Sequence, residues 1–314
     1  MKNVVVIGGG HGLAVMLRGV KQLENIHLSA VVTVADDGGS TGRLRKQFHI
    51  PAMGDIRNVM CAMAESETML STLMNYRFDG EDQDVGGHSL GNLILTALSD
   101  TCGSFMDAIQ TFSKVLNVKG EIIPSTTEVI TLFAIMEDGT IVRGESNIPS
   151  FDNRIKKVFY EHDVLATKQA KQAIHDADII VYGIGSLYTS IMPNIIIDAI
   201  QKELQKSHAK KIYFCNAMTQ PGETDHYSLE DHVQAIADHT HDNPVHTVVI
   251  HSNFIKEEIL KKYEEEGSKE VRIQEKEHAY KILKRDILCF DDDLIRHDAD
   301  KIRDVMEELI NSKD

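Results

Sequence analysis

Three glycine-rich stretches of this chain have the residue types and spacing to hold a phosphorylated ligand. Gly8-Gly9-Gly10-His11-Gly12 follows the apolar run 4–7, Asp36-Asp37-Gly38-Gly39-Ser40-Thr41-Gly42-Arg43 follows the run 28–34, and Gly183-Ile184-Gly185-Ser186-Leu187-Tyr188-Thr189-Ser190 follows 178–182. Each puts glycines and small hydroxyl side chains where a buried strand ends, so backbone N–H groups can close on phosphate oxygens that a Cβ would keep away. In the first loop Gly9, Gly10, His11 and Gly12 open a helix whose first N–H groups have no partner within the helix. Leucine at position 13 replaces the third glycine of the dinucleotide fingerprint, so that match is partial. The bland account of the loop is a tight strand-to-helix turn.

The second loop offers two chemistries. An acid at the end of a second strand holds a ribose hydroxyl in many nucleotide-binding sheets, and Asp36 or Asp37 stands there. Adjacent carboxylates followed by Gly38, Gly39 and Ser40 also suit a hard cation such as Mg²⁺, with the backbone and Arg43 receiving phosphate. The absence of a lysine after the glycines excludes a Walker loop, and an Asx turn with solvated carboxylates is the bland alternative. Gly54-Asp55-Ile56-Arg57-Asn58 begins a helix with Asp55 as its N-cap. Brought near Asp37, Asp55 becomes a second metal ligand and Arg57 a phosphate clamp.

Gly87-His88-Ser89-Leu90-Gly91 spells the nucleophile elbow of hydrolases, but a polar loop over 78–86 precedes it where the elbow needs a buried strand. His88, Ser89 and Asn92 are therefore expected near the surface at a helix start, contacting a ligand or capping the helix. Asn216 and Thr219-Gln220-Pro221-Gly222-Glu223-Thr224 follow a further strand. Ligands of open parallel sheets bind beyond the carboxyl ends of the strands, so these loops share one rim and one anion-receiving crevice. The 15 histidines show no zinc-protease spacing, and His226, His232, His239 and His241 read as helix-surface or capping residues. Cys61, Cys102, Cys215 and Cys289 lie far apart without metal-finger spacing and read as reduced, buried spectators.

The elements that must position these groups alternate between strand and helix. Strand signals lie at 4–7, 28–34, 178–182, 211–215 and 246–250, with helical periodicity at 13–23, 194–204 and 229–237. Strands this apolar imply a parallel sheet covered on both faces. The middle, from 55 to 117, is mainly helical, and Asp138-Gly139 turns a hairpin between 132–136 and 140–143. Residues 257–279 read as a solvated helix and loop, and 298–310 as a final amphipathic helix. A formal charge of −15 argues against a broad nucleic-acid or anionic-membrane footprint. No run approaches the length of a membrane helix and no signal-peptide pattern follows Met1, so a cytoplasmic protein without a membrane span is expected.

Taken together, the glycine loops, the Asp36-Asp37 and Gly54-Asp55-Ile56-Arg57-Asn58 motifs, Gly87 to Asn92, Gly185 to Ser190 and Asn216 to Thr224 resemble the bacterial gluconeogenesis factor (YvcK-type) family. That family lies in the superfamily of the phospholactate transferase CofD. The resemblance spans nearly the whole chain and implies one Rossmann-like, doubly wound, mostly parallel domain over 1–314, with a helical insertion at about 55–120 and a hairpin at about 129–145. It implies a regulator that binds a UDP-N-acetylglucosamine-type nucleotide sugar, serves growth on gluconeogenic carbon sources and cell-shape control, acts through a protein partner in cell-wall synthesis, and forms a homodimer. By the same resemblance Asp37 and Asp55 correspond to the transferases' Mg²⁺ acids, the glycine loops to the nucleotide cradle, and Tyr263 and Arg296 to UDP-sugar contacts. His11 stands where the family usually has threonine, and Met53 where it has proline. The alternative is a Mg²⁺-dependent phospholactyl transferase; an NAD(P)-dependent oxidoreductase fits only the first strand-helix-strand unit.

Overall fold

In a computed structural model, which describes residues 1–65, 69–80, 85–240 and 245–312, the β-branched run at 4–7 forms the enclosed part of strand β1 (Lys2–Gly8). Helix α1 (Gly10–Val20) leaves the glycine turn, and β2 (Ile26–Val32) returns parallel to β1 with Val4 opposite Leu28. Helices α2 (Gly39–Phe48), α3 (Gly54–Met63), α4 (Met69–Asn75), α5 (Leu90–Thr101) and α6 (Phe105–Val115) come before β3 (Glu121–Pro124), which pairs parallel with β2. Then follow β4 (Leu132–Met136), β5 (Ile141–Arg143), a 3-10 turn at Glu145–Ser150, β6 (Ile155–Tyr160) and α7 (Lys168–His175). Strand β7 (Ile179–Tyr182) leads into a π-helical turn at Leu187–Ile191, α8 (Met192–Ile195), α9 (Asp198–Lys206), β8 (Lys210–Phe214) and α10 (Leu229–His239). The chain ends through β9 (Thr247–His251), α11 (Glu257–Glu265), β10 (Lys281–Arg285), the hairpin β11 (Leu288–Asp291) and β12 (Leu294–His297), and α12 (Ala299–Asn311).

The main sheet has the order β10-β9-β8-β7-β1-β2-β3, and every pairing in it is parallel. β1, β7 and β9 are buried along most or all of their length because helices cover both faces. The chain reverses its direction of travel across the sheet between β1 and β7, which is the switch point where α/β sheets open a crevice. Polar residues set the helix starts: Ser89, Ser104, Thr167 and Asp298 accept backbone N–H groups, and Ser228 forms a reciprocal capping box with Asp231.

Three departures from the sequence pattern affect the site. The hairpin β4-β5 belongs to a three-stranded antiparallel sheet in which β6 flanks β4; Lys156 and Lys157 mask the strand signal of β6. The helix expected over 194–204 is divided, because Ile197 is extended and starts α9 afresh after the π-helical turn and α8. The edge strand β10 and the hairpin β11-β12 are short and only partly buried, and carried no signal. The solvated helix α11 stands as expected, and the loop beyond it ties to the end of β8. Thr219 N–H donates to Lys269 O at 2.7 Å, and Val271 N–H donates to Ala217 O at 2.9 Å.

Candidate functional site

The turns after β1, β7 and β8 converge on one cavity of about 450 Å³. It is lined by Gly10, His11, Gly12, Gly185, Ser186, Ser190 and the 216–220 loop, and closed by Tyr263, Ser268, Ile295 and His297. Gly10 has φ +69°, in the region glycine tolerates best. A Cβ on Gly12 would lie 2.6 Å from Ile184 O, so the start of α1 can press against the β7 turn only without a side chain. Asn216 braces that turn, accepting Gly185 N–H at 3.4 Å and donating to Gly185 O at 2.9 Å, while Gln220 donates to Ser186 Oγ at 2.7 Å. A larger opening of about 550 Å³ lies between 149–154 and 221–226, away from the first glycine turn.

The acids divide between two places. Asp55 is not the N-cap of α3; Met53 is, with no side-chain cap bond. The Asp55 carboxyl lies instead against the Gly9–Gly10 turn, where a Cβ on Gly9 would meet its Oδ2 at 2.5 Å. Although the residue as a whole is half-buried, its carboxyl lies deep among protein atoms, and burial followed by the neighbouring Asp36 charge pushes it up to about 7. Asp36 accepts Gly38 N–H at 2.9 Å in an Asx turn. Asp37 turns elsewhere, accepting Ser146 N–H at 3.0 Å and lining a separate cavity of about 480 Å³ with Arg45, Lys46 and Arg143. The structure thus brings Asp36, not Asp37, beside Asp55. Among the described residues no three His, Cys, Asp or Glu side chains are grouped to hold a metal ion.

Two groups that sequence reasoning missed, buried Arg45 and half-buried Glu145, organise this corner. Arg45 donates to the carbonyls of Ala35 at 3.1 Å, Asp36 at 2.7 Å, and Ile130, clamping the end of β2. Glu145, in the 3-10 turn, is pushed up to about 8 by burial and then by Asp36, Asp37, Asp55 and Glu223. Arg45 stands in a helix of ordinary composition and Glu145 in a loop, so neither carried a signal.

The Gly87–Asn92 motif is buried rather than near the surface: His88, Ser89 and Asn92 are at most 5% exposed. Ser40 Oγ and His88 Nδ1 are 2.8 Å apart, Asn92 Nδ2 donates to Ser40 Oγ at 3.1 Å, and Ser89 caps α5. Arg57 donates to Ser89 Oγ, to Asn92 Oδ1 at 3.4 Å and to Asn58 Oδ1 at 2.7 Å. Arg43 reaches Gly86 O. These residues form a polar knot joining α2, α3 and α5, and none of them lines the 450 Å³ cavity. Part of the polar loop before the motif, 81–84, lies outside the described residues.

Glu223, within the Thr219–Thr224 loop, is buried. Its carboxylate accepts Tyr188 N–H at 3.3 Å and Thr189 Oγ1 at 3.0 Å, so it fills the donor end of the turn after β7. Tyr188 and Tyr227 share a hydrogen bond of 2.8 Å behind it. Tyr263 lines the cavity, whereas Arg296 is exposed on the opposite side of β12 from Ile295 and His297. His232 and His239 are buried in α10 rather than on its surface, His232 among Tyr213 and Tyr227, and His239 accepting Val158 N–H at 3.1 Å. His226 is exposed with φ +62°, and His241 lies outside the described residues. Cys61 and Cys215 are buried free thiols, but Cys102 and Cys289 are partly exposed, so the expectation of four buried thiols fails for two.

The family model described as 2-phospho-L-lactate transferase CofD matches residues 4–288. The chain is 43% identical over 312 residues to a gluconeogenesis factor of Bacillus subtilis (strain 168), covering 98% of each chain. It is 41% identical to a putative gluconeogenesis factor of Thermotoga maritima, covering 98% of this chain and 99% of that one. A crystal structure of a UPF0052 family protein from Bacillus halodurans superimposes with a TM-score of 0.92 at 43% identity, over 97% of this chain and 99% of the other. Among the described residues no helix is long and apolar enough to cross a membrane.

Proposed function

Since the chain belongs to the CofD family and, within it, to the gluconeogenesis factors, we propose that it is a regulator that binds a nucleotide sugar of the UDP-N-acetylglucosamine type. The observation that carries this reading is the cavity at the β1/β7 switch point. Its glycine turn opens α1 without any side-chain cap from Gly9, leaving unpaired N–H groups and the positive end of the helix for a diphosphate. On a chain of net charge −15, backbone donors supply locally the attraction that the overall field does not. Ser186, Asn216, Thr219 and Tyr263 furnish hydroxyl and amide groups around the same space.

In this reading the protein works in the cytoplasm, supports growth on gluconeogenic carbon sources, and passes the state of its ligand to a partner in cell-wall synthesis, with a homodimer as the working form. Binding alone suffices for this role.

The family match also favours a second reading, a Mg²⁺-dependent phospholactyl transferase, and the Asp36–Asp55 pair gives it a specific observation. Two carboxylates, one of them raised to about 7 by burial and its neighbour, fit Mg²⁺, which keeps several waters and takes one or two carboxylates with substrate phosphates. Bound there, the cation would neutralise phosphate charge. Asp36 and Asp55 would hold it, while Arg45 fixes the loop that carries Asp36.

A thermal-shift panel of the full chain with UDP-N-acetylglucosamine, GDP, GTP and NAD, each with and without Mg²⁺, separates the readings, because a ligand of the folded state raises the midpoint. Stabilisation by the UDP-sugar is expected. A response to GDP with Mg²⁺ but not to UDP-sugars would replace the regulator by the transferase, and a response to NAD alone would replace both.

A further inference from the structure

Strand β12 forms one wall of the cavity. Its alternation points Ile295 and His297 inward and leaves Leu294 and Arg296 exposed. Ile295 N–H donates to the Tyr263 hydroxyl at 2.9 Å, which pins the strand to α11 and fixes the inward face. His297 sits close enough to His251, the last residue of β9, for the two imidazoles to interact. β8 and β7 separate β9 from β1, a span of about 14 Å at the usual strand spacing. The glycine turn and the His251 end therefore stand apart by roughly the reach of a nucleoside carrying a diphosphate.

The Nε2 of His297 is enclosed and has no hydrogen-bond partner among the described residues. Enclosed polar atoms are rarely left unpaired, because desolvating them costs free energy that nothing returns. Burial, reinforced by His251, pushes the imidazole down to about 4, so it is neutral at pH 7. Glu270 Oε1 stands 3.7 Å from His251 Nε2. A neutral imidazole matches an uncharged hydrogen-bonding group better than a phosphate.

We propose that His297 reads the nucleoside end of the ligand, its Nε2 exchanging a hydrogen bond with an uncharged edge of the base or ribose while the Gly9–Gly12 turn holds the diphosphate. Ile295 and Tyr263 supply the apolar and aromatic surface beside it. This deepens the nucleotide-binding reading and rests on it. It also makes the inward residue of β12, rather than the exposed Arg296, the one that selects the ligand.

Calorimetric titration of the full chain with UDP-N-acetylglucosamine, uridine, ribose 5-phosphate and inorganic pyrophosphate tests the proposal in wild type, His297→Phe and His297→Gln. Phenylalanine fills the space without a polar atom, and is expected to weaken UDP-N-acetylglucosamine and uridine about tenfold while leaving pyrophosphate unchanged. Glutamine restores a polar atom and is expected to stay within about threefold of wild type. A matching loss for ribose 5-phosphate assigns the contact to the ribose, and its absence assigns it to the base. Equal UDP-sugar affinity in wild type and His297→Phe overturns the proposal, as does a parallel loss for pyrophosphate. If wild type binds none of the four, the nucleotide-binding reading falls and this inference falls with it. Should the phenylalanine variant fail to fold, the ¹⁵N shift of the wild-type His297 Nε2 decides: movement on adding uridine supports the contact, and an unmoved resonance overturns it.

Discussion

The Asp55 carboxyl lies against the Gly9–Gly10 turn, where a Cβ on Gly9 would meet its Oδ2 at 2.5 Å, so the first turn of α1 and the first turn of α3 are packed together through a single acid. That packing sets a carboxyl beside the loop that opens onto the cavity, with Asp36 next to it, and the Asp36 charge helps to keep the Asp55 proton in place.

The stability of the protein should fall as pH rises through neutrality. Asp55 has a folded-state value raised from 3.8 to about 7, and Glu145 one raised from 4.5 to about 8. The folded state therefore holds more protons than the unfolded chain across this window. The associated stability is complete below about pH 4 and is lost as pH climbs through 7 to 8. Urea denaturation at pH 5.5 and 8.5 should show Asp55→Asn gaining on wild type at the higher pH, because the amide fills the same space without the charge. An equal difference at both pH values would contradict this assignment.

Mg²⁺ should offset that loss if Asp36 and Asp55 hold it. Millimolar Mg²⁺ is expected to raise the wild-type midpoint more at pH 8.5 than at pH 5.5, since protons compete with the cation for the carboxylates. In Asp55→Asn the increment should disappear, while Asp37→Asn, whose side chain faces the 3-10 turn, should keep it. Loss of the increment in Asp37→Asn alone would return the metal role to Asp37.

Gly12→Ala tests the close approach of α1 to the β7 turn. The new methyl would face a backbone carbonyl at 2.6 Å, which cannot swing aside as a side chain can. A loss of about 1–3 kcal/mol in denaturant unfolding is expected, with ligand affinity falling further because the cavity wall itself shifts. Wild-type stability in this variant would mean that the turn is looser than it stands here.

Arg45→Met should destabilise the protein by roughly 2 kcal/mol or more, since it leaves the carbonyls of Ala35, Asp36 and Ile130 without their buried donor. Mg²⁺ response should fall with it, because the Asp36 loop loses its clamp. Full retention of the Mg²⁺ increment would separate Arg45 from the site.

Thiol labelling checks the burial pattern. Cys215 is enclosed and pushed up to about 12 by burial, so it should stay unmodified in the native protein, as should buried Cys61. Cys102, partly exposed, should react first with a chromogenic disulfide. Rapid labelling of all four without denaturant would contradict the packing described.

Much of the architecture can be read along the chain because it is written in local pattern. A β-branched run such as 4–7 bounded by glycine has few ways to be buried other than as a central parallel strand, and the glycines at the ends of β1 and β7 bring backbone to the wall of one cavity. β6, β10 and the β11-β12 hairpin escaped because their burial is partial and they are short, with lysines interrupting β6 and β10, so period alone cannot separate them from loop.

The sequence by itself determined the alternating sheet, the switch-point loops and the kinship with the gluconeogenesis factors. Tertiary structure alone decided which of two adjacent residues turns inward, Asp36 rather than Asp37 beside Asp55 and His297 rather than Arg296 inside the cavity, and it placed His88 inside a polar knot rather than at the surface. Neighbours in a chain share composition and motif, but their side chains diverge. The choice between them is made by distant elements, the 3-10 turn that takes Asp37 and the helix α11 that pins β12, whose contacts no local pattern records.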